Sequence, residues 1–160
     1  MPKETSTMMR RPESYAWRNF QQLTTNELYQ LLRLRCQVFL VEQQCAYLDI
    51  DGSDQAADHL LAWDAGDELA GYLRAFAPGK PGAAARIGRV VTSASHRGTG
   101  LGHWLMDEAL EFLAQQYPGA GVEISAQAYL EGFYSKFGFR RSSENYLEDG
   151  IAHCTMTRTA

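Results

Sequence analysis

The stretch Arg97-Gly98-Thr99-Gly100-Leu101-Gly102 sets glycines at alternate positions just where an amphipathic run, Leu101 to Leu113, begins. Glycine is a poor helix former, so its concentration at a helix start suggests that the backbone must come close to something side chains would block. The first N–H groups of a helix have no intrahelical acceptor and sit at the positive end of its dipole. Glycines let such groups converge on an anion, so the chemistry on offer is phosphate binding, with a glycine-rich turn as the plain alternative. A P-loop would need Gly-Lys-Ser/Thr, which the segment lacks. A dinucleotide-binding turn needs GxGxxG and an acid about 20 residues further on. Here the spacing is GxGxG, late in a short chain.

Other reactive side chains are scattered. Cys36, Cys45 and Cys154 are odd in number and widely separated, which predicts free thiols. With His59, His96, His103 and His153 they show no metal-ligand spacing, so no metal is expected. Asp49, Asp51 and Asp54 fail as a calcium loop, because Gly52 stands at the fourth position where the sixth is required. They are expected to form a solvated acidic loop that could steer a cation. Arg35 falls on the apolar stripe of Leu28, Leu31, Leu32 and Phe39, and a charge there takes either a ligand or a partner carboxylate. Both readings stay open. Glu42 follows Arg35 by about two helical turns, so the two could share one face. Arg74, Arg89 and His153 are single polar residues on strand-like runs and are candidate substrate contacts.

The elements that must position these residues follow from periodicity. Residues 1 to 14 are polar and aperiodic and are expected to be a flexible tail, leaving 15–160 as one domain. Tyr15–Leu23 has the aromatic content of a strand. Thr24 and Glu27 have capping-box spacing at the start of a helix running past Arg35. Residues 59–79 read as two strands joined by a turn at Ala65–Asp67, and Ala85–Ala94 as a further strand leading into the glycines. Leu101, Trp104, Leu105, Ala109, Phe112 and Leu113 keep helical period, with Asp107, Glu108 and Glu111 on the wet side and Pro118-Gly119 as the stop. Val122–Ala128 is a strand, Tyr129–Phe139 contains a short helix closed by Gly138, and the segment from His153 is a last strand. This is a mixed α/β single domain.

Composition bounds the partners. The chain has 160 residues, 45% hydrophobic and 21% charged, with a net charge of −4. That suits a single globular domain, argues against nucleic acid, and fits a neutral or cationic small partner. No apolar run is long enough to cross a bilayer, and the N-terminal segment lacks the apolar stretch of a secretory signal. A cytoplasmic protein that does not engage membranes is expected.

The loop Arg97-x-x-Gly100-x-Gly102, the preceding "IGRVVTSASHRG" and the later "QAYLEGFYSKFGF" together resemble the GNAT N-acetyltransferase superfamily, across about half the chain. "RLRCQVFLVEQQCAYLDIDGSD" and "EDGIAHCTM" resemble its ElaA-like branch, and the first of these is faintly similar to acyl-homoserine-lactone synthases. The resemblance implies a central, mostly antiparallel twisted sheet flanked by helices, with a V-shaped splay between the fourth and fifth strands. It implies acetyl-CoA as co-substrate, its pyrophosphate cradled by Arg97, Gly98, Thr99, Gly100, Leu101, Gly102 and His103. Val90, Val91 and Thr92 would offer backbone groups to the pantetheine. Gln127 stands where the family often carries Asn, which keeps the amide at a different reach.

The implied reaction is attack of a neutral amine on a thioester in a ternary complex, which needs donors for the oxyanion and a proton for the departing thiolate. Tyr134, in "FYSKFGF", stands where similar enzymes place the general acid. Glu42 is the candidate base, with a water chain to solvent as the alternative, and Arg35, Arg74 and His153 are candidate acceptor contacts. The acceptor would be a small-molecule or peptide amine, and similar proteins are often homodimers. The rival readings are a non-catalytic acyl-CoA sensor on the same fold and, less supported, a lactone synthase.

Overall fold

The structure, a computed structural model, describes residues 11–160. Most of the expected tail therefore lies outside the described residues. Strand β1 spans Ser14–Asn19, shorter than the aromatic run suggested. Asn19 ends it by capping a single 3-10 turn over Phe20–Gln22, in a reciprocal bond with Gln22. Helix α1 (Thr25–Arg35) starts at the expected capping box, with Thr24 accepting from the Glu27 N–H and the Glu27 carboxylate from the Thr24 N–H. It then widens into a π segment over Cys36–Glu42.

Strands β2 (Asp58–Trp63) and β3 (Leu69–Phe76) form the expected hairpin, its turn tied by Asp64 Oδ1 accepting from the Gly66 and Glu68 N–H groups. Strand β4 (Ala85–Thr92) leads through the glycine loop into α2 (Leu101–Gln116), and β5 (Val122–Gln127) follows. A short helix α3 (Glu131–Ser135) comes next, then β6 (Arg140–Arg141), β7 (Tyr146–Glu148) and β8 (Ile151–Arg158). The strands order as β1-β2-β3-β4-β5-β8-β6, with β7 also on β8. All pairings are antiparallel except β4–β5, and that parallel pair is what the α2 crossover makes possible.

Alternation along the central strands divides the core into two layers. Leu60, Leu73 and Ile87 pack with Leu101, Leu105 and Leu113 of α2 and with Phe139. Leu61, Tyr72 and Val91 face the other way, onto Leu31, Leu34 and Val38. Gly71 lies under α2, where an added Cβ would come within 3.0 Å of Leu105 and 3.1 Å of Leu101. The helices thus grip the sheet from both sides and leave one end of the β4–β5 seam open.

Candidate active site

Strands β4 and β5 pair only at Ala85↔Val122 and Arg86↔Glu123 and then part, giving the expected splay. Beyond that point both strands line one cleft of about 860 Å³, β4 with Ile87 to Thr92 and β5 with Ile124, Ser125 and Gln127. The β4 edge facing β5 is left with unpaired backbone groups, a template for an extended ligand that carries amides. The register of β3 against β4 slips between Tyr72↔Val91 and Arg74↔Gly88, which marks a bulge at Arg89 and Val90. Arg89 takes φ +52 there, a left-handed conformation that a non-glycine residue holds only under constraint. Asp49 supplies it, its Oδ1 accepting from Arg89 Nε at 2.8 Å. A bulge re-aims the residues after it, here Val90 to Thr92 on the cleft wall.

The glycine loop meets the cleft at Arg97, the residue of the Arg97–Gly102 segment on its lining. Gly98 and Gly100 have φ +72 and +86, so the backbone there needs glycine's freedom. Thr99 Oγ1 donates to the His96 carbonyl at 2.6 Å, and no side chain among the described residues caps α2, which leaves its first N–H groups open. A Cβ on Gly102 would lie 3.8 Å from Phe133 and 3.9 Å from Thr92, which places the loop against the cleft wall. The Leu101 side chain is buried in the core, so only its backbone can serve a ligand. His103 turns away from the cleft lining, with Nε2 3.5 Å from Asp107 and its ring 4.5 Å from that of Phe137. Arg97 lines the cleft and forks onto Glu42, Nη2 donating to Oε2 at 2.7 Å and Nη1 to Oε1.

Tyr134 enters the cleft from α3 and is 9% exposed. Its hydroxyl has no hydrogen-bond partner among the described residues, and burial pushes its pKa up to about 12. The phenol is therefore a protonated donor at neutral pH. Glu42 also lines the cleft, but the Arg97 guanidinium holds its carboxyl below the usual range, which weakens it as a base. Gln127 donates from Nε2 to Gln43 Oε1 at 3.3 Å across the cleft floor. His153 reaches the lining from β8, opposite Gln127 in the register.

Three expectations are corrected. Arg35 and Glu42 do not share a face: the π segment bonds each residue five back rather than four, turning Glu42 onto the cleft while Arg35 stays on the α1 core side. Arg35 is fully buried, donating from Nε to Asp49 Oδ2 at 2.9 Å and from Nη1 to Asp54 Oδ1 at 2.7 Å. Arg74 is likewise buried, on Asp54 Oδ1 at 2.8 Å and Asp51 Oδ2 at 2.6 Å. Neither arginine lines the cleft, so both serve structure rather than substrate. Finally, Asp49 and Asp54 are not solvated, at 4% and 5% exposed; the acidic segment is the counter-charge of Arg35, Arg74 and Arg89.

Sequence reasoning missed one part of the site, the β7–β8 hairpin. Its turn is Asp149-Gly150 with φ +51 and +76, a two-residue hairpin turn that the Asp-Gly pair between Glu148 and Ile151 signals. It brings Glu148, Asp149 and Ile151 to the cleft, and the Cys45 thiol donates to the Asp149 carbonyl at 2.9 Å. Among the described residues no group of three His, Cys, Asp or Glu side chains could hold a metal ion, and no helix is long and apolar enough to cross a membrane.

Comparison with known proteins agrees with this geometry. Residues 24–160 match the family model of the acetyltransferase (GNAT) domain. Protein ElaA of Escherichia coli is 44% identical over 139 residues, covering 86% of this chain and 90% of that protein. A crystal structure of an acyl-CoA N-acyltransferase from Pseudomonas aeruginosa superposes with TM-score 0.86 at 42% identity, covering 91% of this chain and 99% of that one. The crystal structure of E. coli ElaA gives 0.85 at 40%, over 91% and 98%.

Proposed function

The chain belongs to the GNAT acetyltransferase family, and from that premise we propose that it moves the acetyl group of acetyl-CoA onto an amine, by direct attack within a ternary complex. The observation that carries the reading is the parting of β4 from β5, flanked by the open N-terminus of α2 and by the unpartnered hydroxyl of Tyr134. In this reading the α2 N–H groups and the Gly98–Gly102 backbone hold the pyrophosphate, with Arg97 beside them. The unpaired edge of β4 accepts the pantetheine amides as a neighbouring strand would. A backbone N–H of the Val90–Thr92 segment faces the thioester oxygen, where it stabilises the developing oxyanion.

Tyr134 donates its proton to the departing thiolate. A phenol whose pKa stands at about 12 is loaded with that proton throughout the physiological range. Glu42 is placed to hold Arg97 in the cleft rather than to take a proton. Incubation with acetyl-CoA and a panel of primary amines, with free thiol and acetylated product followed together, tests the reading. Amine-dependent release of thiol with matching N-acetyl product is expected. Thermal stabilisation by CoA with no amine-dependent thiol release is the outcome of a sensor and contradicts it.

A further inference from the structure

The reaction needs a group that takes a proton from the acceptor, because an amine arrives as an ammonium and attacks only when neutral. Glu42 is engaged by Arg97, while the cleft also holds a pair, His153 and Glu148, that lies outside the glycine loop and the "FYSKFGF" segment. His153 Nδ1 lies 2.8 Å from the Ile151 carbonyl, which can only accept, so Nδ1 carries a hydrogen. The other ring nitrogen, Nε2, points at Glu148 Oε2, 3.3 Å away. The imidazole is largely buried and lies parallel to the Tyr146 ring, with centroids 6.3 Å apart.

Glu148 is held in turn. Ser125 Oγ donates to Glu148 Oε2 at 3.2 Å, and the Tyr146 hydroxyl backs Ser125 at 2.6 Å. The titratable groups around the imidazole are Glu148 and Tyr146 on β7 and Asp149 in the turn, with the Cys45 thiol on the Asp149 carbonyl. Among the described residues no lysine or arginine pairs with Glu148. With Nδ1 as donor, Nε2 faces the half-exposed Glu148 carboxylate across 3.3 Å, and a primary ammonium, with three N–H donors, can bond to both at once. Tyr134, a residue nine-tenths buried whose hydroxyl has no partner among the described residues, lines the same cleft.

We propose, resting on the transferase reading above, that His153 Nε2 is the base that deprotonates the acceptor, with Glu148 positioning and stabilising the imidazolium. The acceptor ammonium gives one proton to Nε2, and its freed lone pair forms the C–N bond at the thioester carbonyl. The oxyanion collapses, the C–S bond breaks, and the thiolate takes the Tyr134 proton. The surplus proton on the new amide nitrogen reprotonates the Tyr134 phenolate, and His153 releases its proton to solvent.

The test is the pH dependence of kcat for acetyl-CoA with spermidine, glucosamine and a peptide with a free N-terminus. His153→Gln is expected to lower kcat by about 100-fold or more, while acetyl-CoA affinity changes by less than about twofold. Activity of His153→Ala returns on adding imidazole. Glu148→Gln lowers kcat with acetyl-CoA affinity held, and Glu148→Asp restores part of the rate, because the imidazolium loses and then regains a counter-charge. A structural role would give none of these last two effects. A His153→Gln protein with wild-type rate and ascending limb overturns the proposal, as does a loss of rate matched by loss of acetyl-CoA affinity. Wild-type protein that binds acetyl-CoA but releases no thiol with any of these amines overturns the transferase reading itself, and the role of His153 with it.

Discussion

At the level of single residues, the environment divides proton work between groups that look alike in the sequence. Tyr134 sits among Phe133, Phe137 and Phe139, and nothing in its spacing separates a donor from one more core aromatic. Burial without a partner does separate them, because it raises the phenol pKa and leaves the hydroxyl free to donate. Tyr134→Phe removes the proton and keeps the packing. Turnover is then expected to fall by about 100-fold or more while CoA affinity holds, measured by steady-state kinetics beside calorimetric titration. Equal loss of both would contradict the acid role. Arg35 shows the opposite outcome. Its place on an apolar stripe left a ligand and a partner carboxylate equally open, and the partners turned out to be Asp49 and Asp54, fourteen and nineteen residues away. Arg35→Ala leaves those carboxylates buried and short of a counter-charge, and is expected to cost about 3–5 kcal/mol of stability by denaturant titration.

Elements with a local signature were legible. The Thr24–Glu27 box starts α1, the periodic apolar stripe gives α2, and the β2–β3 turn falls where its Asp-rich segment predicts. The features that shape the site depend on contacts far apart in the chain, so no window of sequence contains them. The Arg89 bulge is held by Asp49, forty residues before it, and the π segment that turns Glu42 toward Arg97 departs from simple helical counting. The β7–β8 hairpin is a different case, since its Asp149-Gly150 turn was present to be read and the shortness of β7 hid it. The glycine loop can be tested at this same scale. Gly102 has ordinary φ and room for a Cβ, so Gly102→Val should fold with little change in Tm. Its added bulk beside the α2 N–H groups is expected to weaken acetyl-CoA binding at least about tenfold, near 1.4 kcal/mol. Unchanged affinity by calorimetry would leave the segment as only a turn.

For the molecule as a whole, one charged network joins the acidic segment to α1, β3 and β4, and so couples the cleft wall to global stability. His59 is fully buried, with Nε2 2.9 Å from the Asp54 carbonyl and Nδ1 2.6 Å from the Tyr72 hydroxyl, so it is neutral and its pKa is lowered by burial. The Asp51 carboxyl is lowered chiefly by its bond to Arg74, and Asp54 is lowered by Arg35 and Arg74 against the cost of burial. Groups with depressed folded pKa values stabilise above their unfolded values, and that contribution is lost as pH falls. Tm should therefore decline in two stages on acidification, first below about pH 6.5 from His59 and then below about pH 4 from the carboxylates. His59→Gln is expected to remove the upper stage and spare the lower; a variant that keeps both stages would refute the assignment. The most direct test of the whole account is mass spectrometry of the products from this protein, acetyl-CoA and the amine panel. The account predicts an N-acetylated amine formed in step with free CoA, dependent on Tyr134. Tight CoA binding with no acetylated product from any amine would contradict it.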